Sequence, residues 1–95
     1  MDAPTIFVVD DDAAVRTAVR RLLLSTRLPV RLFATAEEFL AHTDSEARGC
    51  LIVDLGLPGM TGLELQERLA EREPPLPVVF ITAREDAEIV MVDSE

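Results

Sequence analysis

Ninety-five residues suffice for one domain with one core, not two. A chain that is 48% hydrophobic and 28% charged lies outside the disordered range, and with four Phe and no Trp or Tyr its core must come from Leu, Val, Ile and Ala. The net charge of −9 argues against a direct nucleic-acid partner and against an anionic membrane surface.

All nine basic residues are arginine, and lysine is absent. The single Cys50 cannot form an internal disulfide and reads as a buried free thiol in a reducing compartment. No apolar run approaches the roughly 20 residues that span a bilayer. The short acidic start MDAPT is unlike a signal peptide, so a cytoplasmic location is expected.

Four apolar runs alternate with amphipathic stretches. Thr5 to Val9 is a β-rich run that ends abruptly in Asp10-Asp11-Asp12. From Ala13 to Ser25, the residues Ala14, Val15, Ala18, Val19, Leu22 and Leu23 recur at helical spacing, with Arg16, Thr17, Arg20 and Arg21 largely on the opposite, solvated face. Pro29 closes the connection to a second strand, Val30 to Phe33. Thr35 and Glu38 form a capping box for a helix that carries Phe39 and Leu40 inward and stops near His42, which reads as a surface histidine without a partner. Thr43 to Gly49 is a loop. Cys50 to Val53 is a fully apolar third strand ending in Asp54.

Gly56, Pro58 and Gly59 then form a turn-rich segment, and Thr61 with Glu64 gives a second capping box. That helix runs through Leu65, Leu69 and Ala70 and ends at Glu73-Pro74-Pro75, because proline disfavours helix in the residue before it. Val78 to Ile81 is a fourth strand, ending at Thr82. Strands alternating with helices imply βαβ units: an α/β fold with a parallel sheet and helices on both faces.

Ligands of open parallel sheets bind beyond the carboxyl ends of the strands. Asp10 and Asp11, Asp54 and Thr82 stand at such ends. Three carboxylates gathered there repel one another, and oxygen-only ligands favour a hard divalent cation, Mg²⁺. Such an ion beside a carboxylate suits phosphoryl transfer onto that carboxylate, giving a labile acyl phosphate. Singly, a strand-terminal Asp is often only the N-cap of the next helix, the role expected of Asp12 unless it is a solvated acid. The convergence of several such ends favours a site.

The segments FVVDDDAAVR, LIVDLGLPGMTG and VVFITA resemble, in order and spacing, the signature segments of two-component response-regulator receiver domains. The resemblance covers residues 5–83, within a single domain of residues 1–95, and is closest in style to receivers that precede LuxR-type output domains. It implies a CheY-like, flavodoxin-like doubly wound sheet of order 2-1-3-4. The domain would be a regulatory phosphoacceptor of a phosphorelay, not an enzyme, taking phosphate from a sensor histidine kinase. It implies Asp54 as the phosphorylated residue and Asp11 as a direct Mg²⁺ ligand, with Asp10 acting through water and the Gly56 backbone carbonyl completing the protein ligands. The Thr82 hydroxyl would hydrogen-bond the phosphoryl oxygens, small Ala83 would leave the phosphate accessible, and Pro58 and Gly62 would shape the loop behind the nucleophile.

The family also has a fifth strand ending in lysine and a fifth helix. Here thirteen residues follow Thr82, and Arg84 follows the wrong strand to replace the lysine. Residues 84–95 read as an atypical tail of a truncated receiver: a helix from near Asp86, or else a strand or irregular end without a family counterpart. Too few residues precede Ile89 for a parallel crossover. A bare fourth-strand edge would favour a homodimer or swapped oligomer. Two alternatives stand beside the phosphoacceptor reading. One is a degenerate receiver serving only as an interaction or dimerisation module. The other, suggested by the Asp-x-Asp of residues 10–12, is a haloacid-dehalogenase-type phosphohydrolase, against which stands Ala14 where that family has Thr or Val.

Overall fold

The computed structural model describes residues 4–44, 46–72, 75–83 and 89–93. In chain order it contains β1 (Thr5–Val9), α1 (Ala13–Leu23) with a 3₁₀ turn over Leu24–Thr26, β2 (Val30–Phe33), α2 (Ala36–His42), β3 (Gly49–Asp54), α3 (Gly62–Ala70), β4 (Val78–Ala83) and β5 (Ile89–Asp93). The sheet order is β2-β1-β3-β4-β5. The first three pairings are parallel, so the expected doubly wound order 2-1-3-4 is present.

Strand alternation divides the core between two faces. Phe7, Val9, Leu51 and Val53 point to the face covered by α2 and α3, where they pack with Phe33, Phe39, Leu65 and Leu69. Phe39 meets Phe7 and Phe33 edge-on, with ring centroids 5.4 and 5.6 Å apart, the geometry aromatic quadrupoles favour. Ile6, Val8, Ile52 and Ile81 point to the other face and meet Val19 of α1. The apolar stripe of α1 is narrower than its sequence suggests. Val15, Val19 and Leu23 face the sheet in one i, i+4, i+8 row, while Ala14, Ala18 and Leu22 are exposed. Cys50 is correspondingly half-buried, not fully enclosed, and burial raises its thiol pKa.

Both capping residues work as read. Thr61 accepts the Glu64 amide while Glu64 accepts the Thr61 amide, each at 3.1 Å. Thr35 accepts the Glu38 amide, but Glu38 reaches one residue further back, to the Ala34 amide. His42 is exposed but does have partners. Its Nδ1 donates to the Glu38 carbonyl at 2.9 Å, closing the last turn of α2, and its ring lies 6.3 Å from that of Phe33. Glu73 and Pro74, expected to end α3, lie outside the described residues.

The tail corrects the reading of a helix after β4. Ile89–Asp93 is a strand, antiparallel to β4, with Thr82 opposite Val90 and Ala83 opposite Ile89. The β-branched and unbranched apolar run Ile-Val-Met-Val suits a strand, and an antiparallel return needs only a hairpin-length connection, whereas a parallel one needs about a dozen residues. The sheet therefore has five strands where four were expected, and the β4 edge is covered by this chain itself.

Candidate functional site

β1 and β3 run side by side with Val9 opposite Val53, so Asp10 and Asp54 leave the sheet at the same edge. The carboxylate oxygens of Asp10, Asp11 and Asp54 come within 4.8 Å of one another, bringing together three of the expected site residues. Asp10 is buried, Asp11 exposed and Asp54 half-buried. Gly56 lies in the turn just beyond β3, and its amide donates to Asp54 Oδ1 at 3.1 Å. Ile81 is the register partner of Asp54, and the Leu55 amide bonds its carbonyl. Thr82 is the next residue along β4, which places its backbone beside the end of β3; its side chain, and those of Ala83 and Arg84, lie outside the described features.

The first acidic turn is held by its own backbone. Asp10 Oδ1 accepts the Asp12 amide at 2.9 Å, and Asp12 Oδ1 caps α1 by accepting the Ala14 amide at 2.8 Å. Asp12 is therefore the helix cap, as its position suggested. Asp10 has its pKa raised, first by burial and then by the charges of Asp54, Asp11 and Asp12; the Asp12 amide opposes this only in part. A buried carboxylate amid three others, with all-oxygen donors converging on one point, fits a hard divalent cation such as Mg²⁺.

Close approach of backbone shapes the second acidic strand end. A Cβ on Gly62 would lie 2.9 Å from the Asp54 carbonyl and 3.2 Å from the Phe80 ring, so glycine lets α3 start directly against the end of β3. Two supports escaped the sequence reading. Glu37 at the start of α2 accepts the Met60 amide at 3.4 Å, bracing the loop after Asp54 across 23 residues of sequence. Arg16, expected on the solvated face of α1, is half-buried, and its Nη1 donates to the Asp10 carbonyl at 2.7 Å. Its place one helical turn after the capping Asp12 was the available signal. Arg20 and Arg21 are exposed, as expected.

Residues 6–93 match the response regulator receiver domain. The chain belongs to the response-regulator receiver family. This receiver is 42% identical over 88 residues to the transcriptional regulatory protein TdiR of Thauera aromatica, an alignment covering 93% of this chain and 39% of TdiR. Over 81 residues it is 42% identical to the response regulator protein TmoT of Ectopseudomonas mendocina, covering 85% of this chain and 37% of that one. It superposes on the response regulator StyR with a TM-score of 0.78 at 46% identity, over 94% of this chain and 45% of StyR. A response regulator receiver protein from Burkholderia phymatum gives 0.70 at 44%, over 88% of this chain and 68% of that one. The receiver thus spans well under half the length of these two curated relatives.

Proposed function

We propose that this receiver accepts a phosphoryl group on Asp54 from the phosphohistidine of a sensor kinase, with Mg²⁺ held by Asp10, Asp11, Asp54 and the Gly56 carbonyl. The observation that carries this reading is the convergence of three carboxylates at the carboxyl edge of a parallel sheet, in a chain of the receiver family. A carboxylate oxygen of Asp54 attacks phosphorus, a P–O bond forms as the donor's N–P bond breaks, and the imidazole takes the electron pair. Bound Mg²⁺ would supply neutralising charge for the phosphoryl oxygens. Asp10 and Asp11 would hold the cation beside Asp54, and the Thr82 hydroxyl would donate to a phosphoryl oxygen. The domain is regulatory: its product is a modified state of itself, and it turns over no external substrate beyond its phosphodonor.

The named relatives TdiR and TmoT are a transcriptional regulatory protein and a response regulator, and a link to cytoplasmic control of transcription is proposed on that likeness. Among the described residues no helix is long and apolar enough to cross a membrane. Self-association, as a homodimer or a swapped oligomer, is also proposed. With β5 covering β4, it rests on the exposed Leu22, Leu24 and Leu28 rather than on a bare strand edge.

Incubation with acetyl phosphate and Mg²⁺, followed by intact mass measurement, tests the main reading. The expected result is one added phosphoryl group, absent in Asp54→Asn and absent when the metal is chelated. The second reading is a receiver that binds partners without being phosphorylated. No mass gain in the wild-type chain, despite retained folding, would select it.

A further inference from the structure

We propose that Arg16 is a positioning residue for the metal-binding turn: its guanidinium clamps the Asp10 carbonyl and so fixes the peptide unit that joins the Asp10 and Asp11 ligands. The inference rests on the Mg²⁺ reading of the acidic edge and adds a residue to it. The Asp10 carbonyl belongs to the planar Asp10–Asp11 peptide group, so its direction sets how the two side chains leave the backbone. On the strand side, the Asp10 amide is anchored to the Phe33 carbonyl at 3.1 Å. On the helix side, the Asp12 carbonyl accepts the Arg16 amide at 3.0 Å. Between these anchors, Arg16 Nη1 reaches back over six residues to the Asp10 carbonyl at 2.7 Å, a short charge-assisted hydrogen bond in a partly buried setting. One residue thus holds the turn twice, through its backbone and its side chain.

The geometry and the charge of Arg16 predict opposite effects on cation binding. A guanidinium beside a cation site disfavours a second positive charge, so removing it should tighten Mg²⁺ if charge were its only role. A clamp does the reverse, because losing it leaves the ligands to be ordered when the metal binds. Residues that orient metal ligands typically contribute about 10–100-fold to affinity. The positional effect therefore outweighs a charge effect that salt screens over roughly 10 Å at 0.1 M.

The test uses the full 95-residue chain and Mg²⁺ itself, titrated by calorimetry and by amide NMR shifts of Asp11, Asp12 and Gly56, at low and high salt. Arg16→Met keeps the aliphatic stem and helix propensity but removes the donor; Arg16→Lys restores the charge and one donor. Arg21→Met removes the same charge from an exposed position on the same helix. Arg16→Met is expected to weaken Mg²⁺ about tenfold at both salt concentrations, Arg16→Lys to recover part of the loss, and Arg21→Met to leave affinity within about twofold. Unchanged or tighter binding in Arg16→Met, or an equal loss in Arg21→Met, would overturn the clamp. Metal-free hydrogen exchange at the Asp12 amide, which is bonded to Asp10 Oδ1, separates the two readings. If the wild-type chain binds no Mg²⁺, the metal reading fails. The clamp then stands on faster Asp12 exchange in Arg16→Met and falls if exchange is unchanged.

Discussion

β1 crosses from one physical regime to another within a single residue. Val9 is 0% exposed and packed among Phe33, Phe39 and Val53, whereas Asp10 is 3% exposed and carries a carboxylate into nearly the same burial. In the core, the apolar area removed from water favours the folded state and the aromatic contacts add to it. At the carboxyl edge, burial and mutual repulsion both oppose it. A metal-free receiver is therefore held together by its core against its own site. Substitutions in the two regions should change stability with opposite signs.

The largest effect is expected from the core. Phe39→Ala removes the ring at the centre of the α2/α3 face, fully buried and touching both Phe7 and Phe33, and should cost about 3–5 kcal/mol in chemical denaturation. A loss below about 1 kcal/mol would mean that this face is not the tightly packed one, since surface-like changes are typically that small.

Next comes a substitution where the two regions meet. Helix propensity alone predicts that Gly62→Ala stabilises α3 by roughly 1 kcal/mol. The added methyl would instead stand 2.9 Å from the Asp54 carbonyl, with backbone on one side and the Phe80 ring on the other. Overpacking of this kind costs about 1–3 kcal/mol. The expected outcome is net destabilisation by denaturant titration, with slower phosphorylation by acetyl phosphate because Asp54 is displaced.

At the edge the sign reverses. Asp10→Asn keeps the oxygen that accepts the Asp12 amide and removes the buried charge, so the metal-free protein should gain about 0.5–2 kcal/mol, as relief of a strained site commonly yields. Asp10 in the fold has a pKa above its ordinary value of 3.8, so the folded state holds its proton more tightly than the unfolded chain does. Its contribution to stability is greatest below 3.8 and is lost as pH rises through the folded value. Metal-free wild type should accordingly gain stability as pH falls from neutral through that window, and Asp10→Asn should lose this part of the pH dependence. Added Mg²⁺ should stabilise the wild-type chain and not the variant. A variant less stable than wild type without metal would remove the contrast.

What the sequence made legible follows the same division. The parallel strands read clearly because both their faces are apolar, and the helix starts because Thr35 and Thr61 cap them in the expected way. Asp10, Asp11 and Asp54 were legible because strand ends of a parallel sheet share an edge. Arg16 and Glu37 were not, because each acts through a main-chain partner whose direction no side-chain pattern encodes. Gly49 shows the same limit. Its φ of +129° and a Cβ position that would run into the Thr5 carbonyl oxygen make it indispensable at the entry to β3, yet in sequence it only ends a polar loop. The sequence left the tail open between a helix and a strand because an Ile-Val-Met-Val run has no helical or strand periodicity of its own; the antiparallel pairing with β4 decides for the strand.

The smallest expected effect on stability sharpens the comparison within the core itself. Leu22 and Leu24, 71% and 64% exposed, belong to neither buried cluster, although Leu22 falls in the apolar stripe that the sequence assigns to the sheet. Replacing both by Gln leaves no cavity and removes no contact within those clusters. Each change should therefore alter stability by no more than about 0.5 kcal/mol. If these leucines are where two copies meet, the double variant should instead lower the sedimentation coefficient at micromolar concentration while unfolding at the same denaturant midpoint. A midpoint lowered as far as that of a Val19→Ala variant, whose side chain is buried against the same sheet face, would show that the end of α1 is part of the core after all. The test separates a surface that is apolar for packing from one that is apolar for association, a distinction periodicity cannot make because both give the same 3.6-residue pattern.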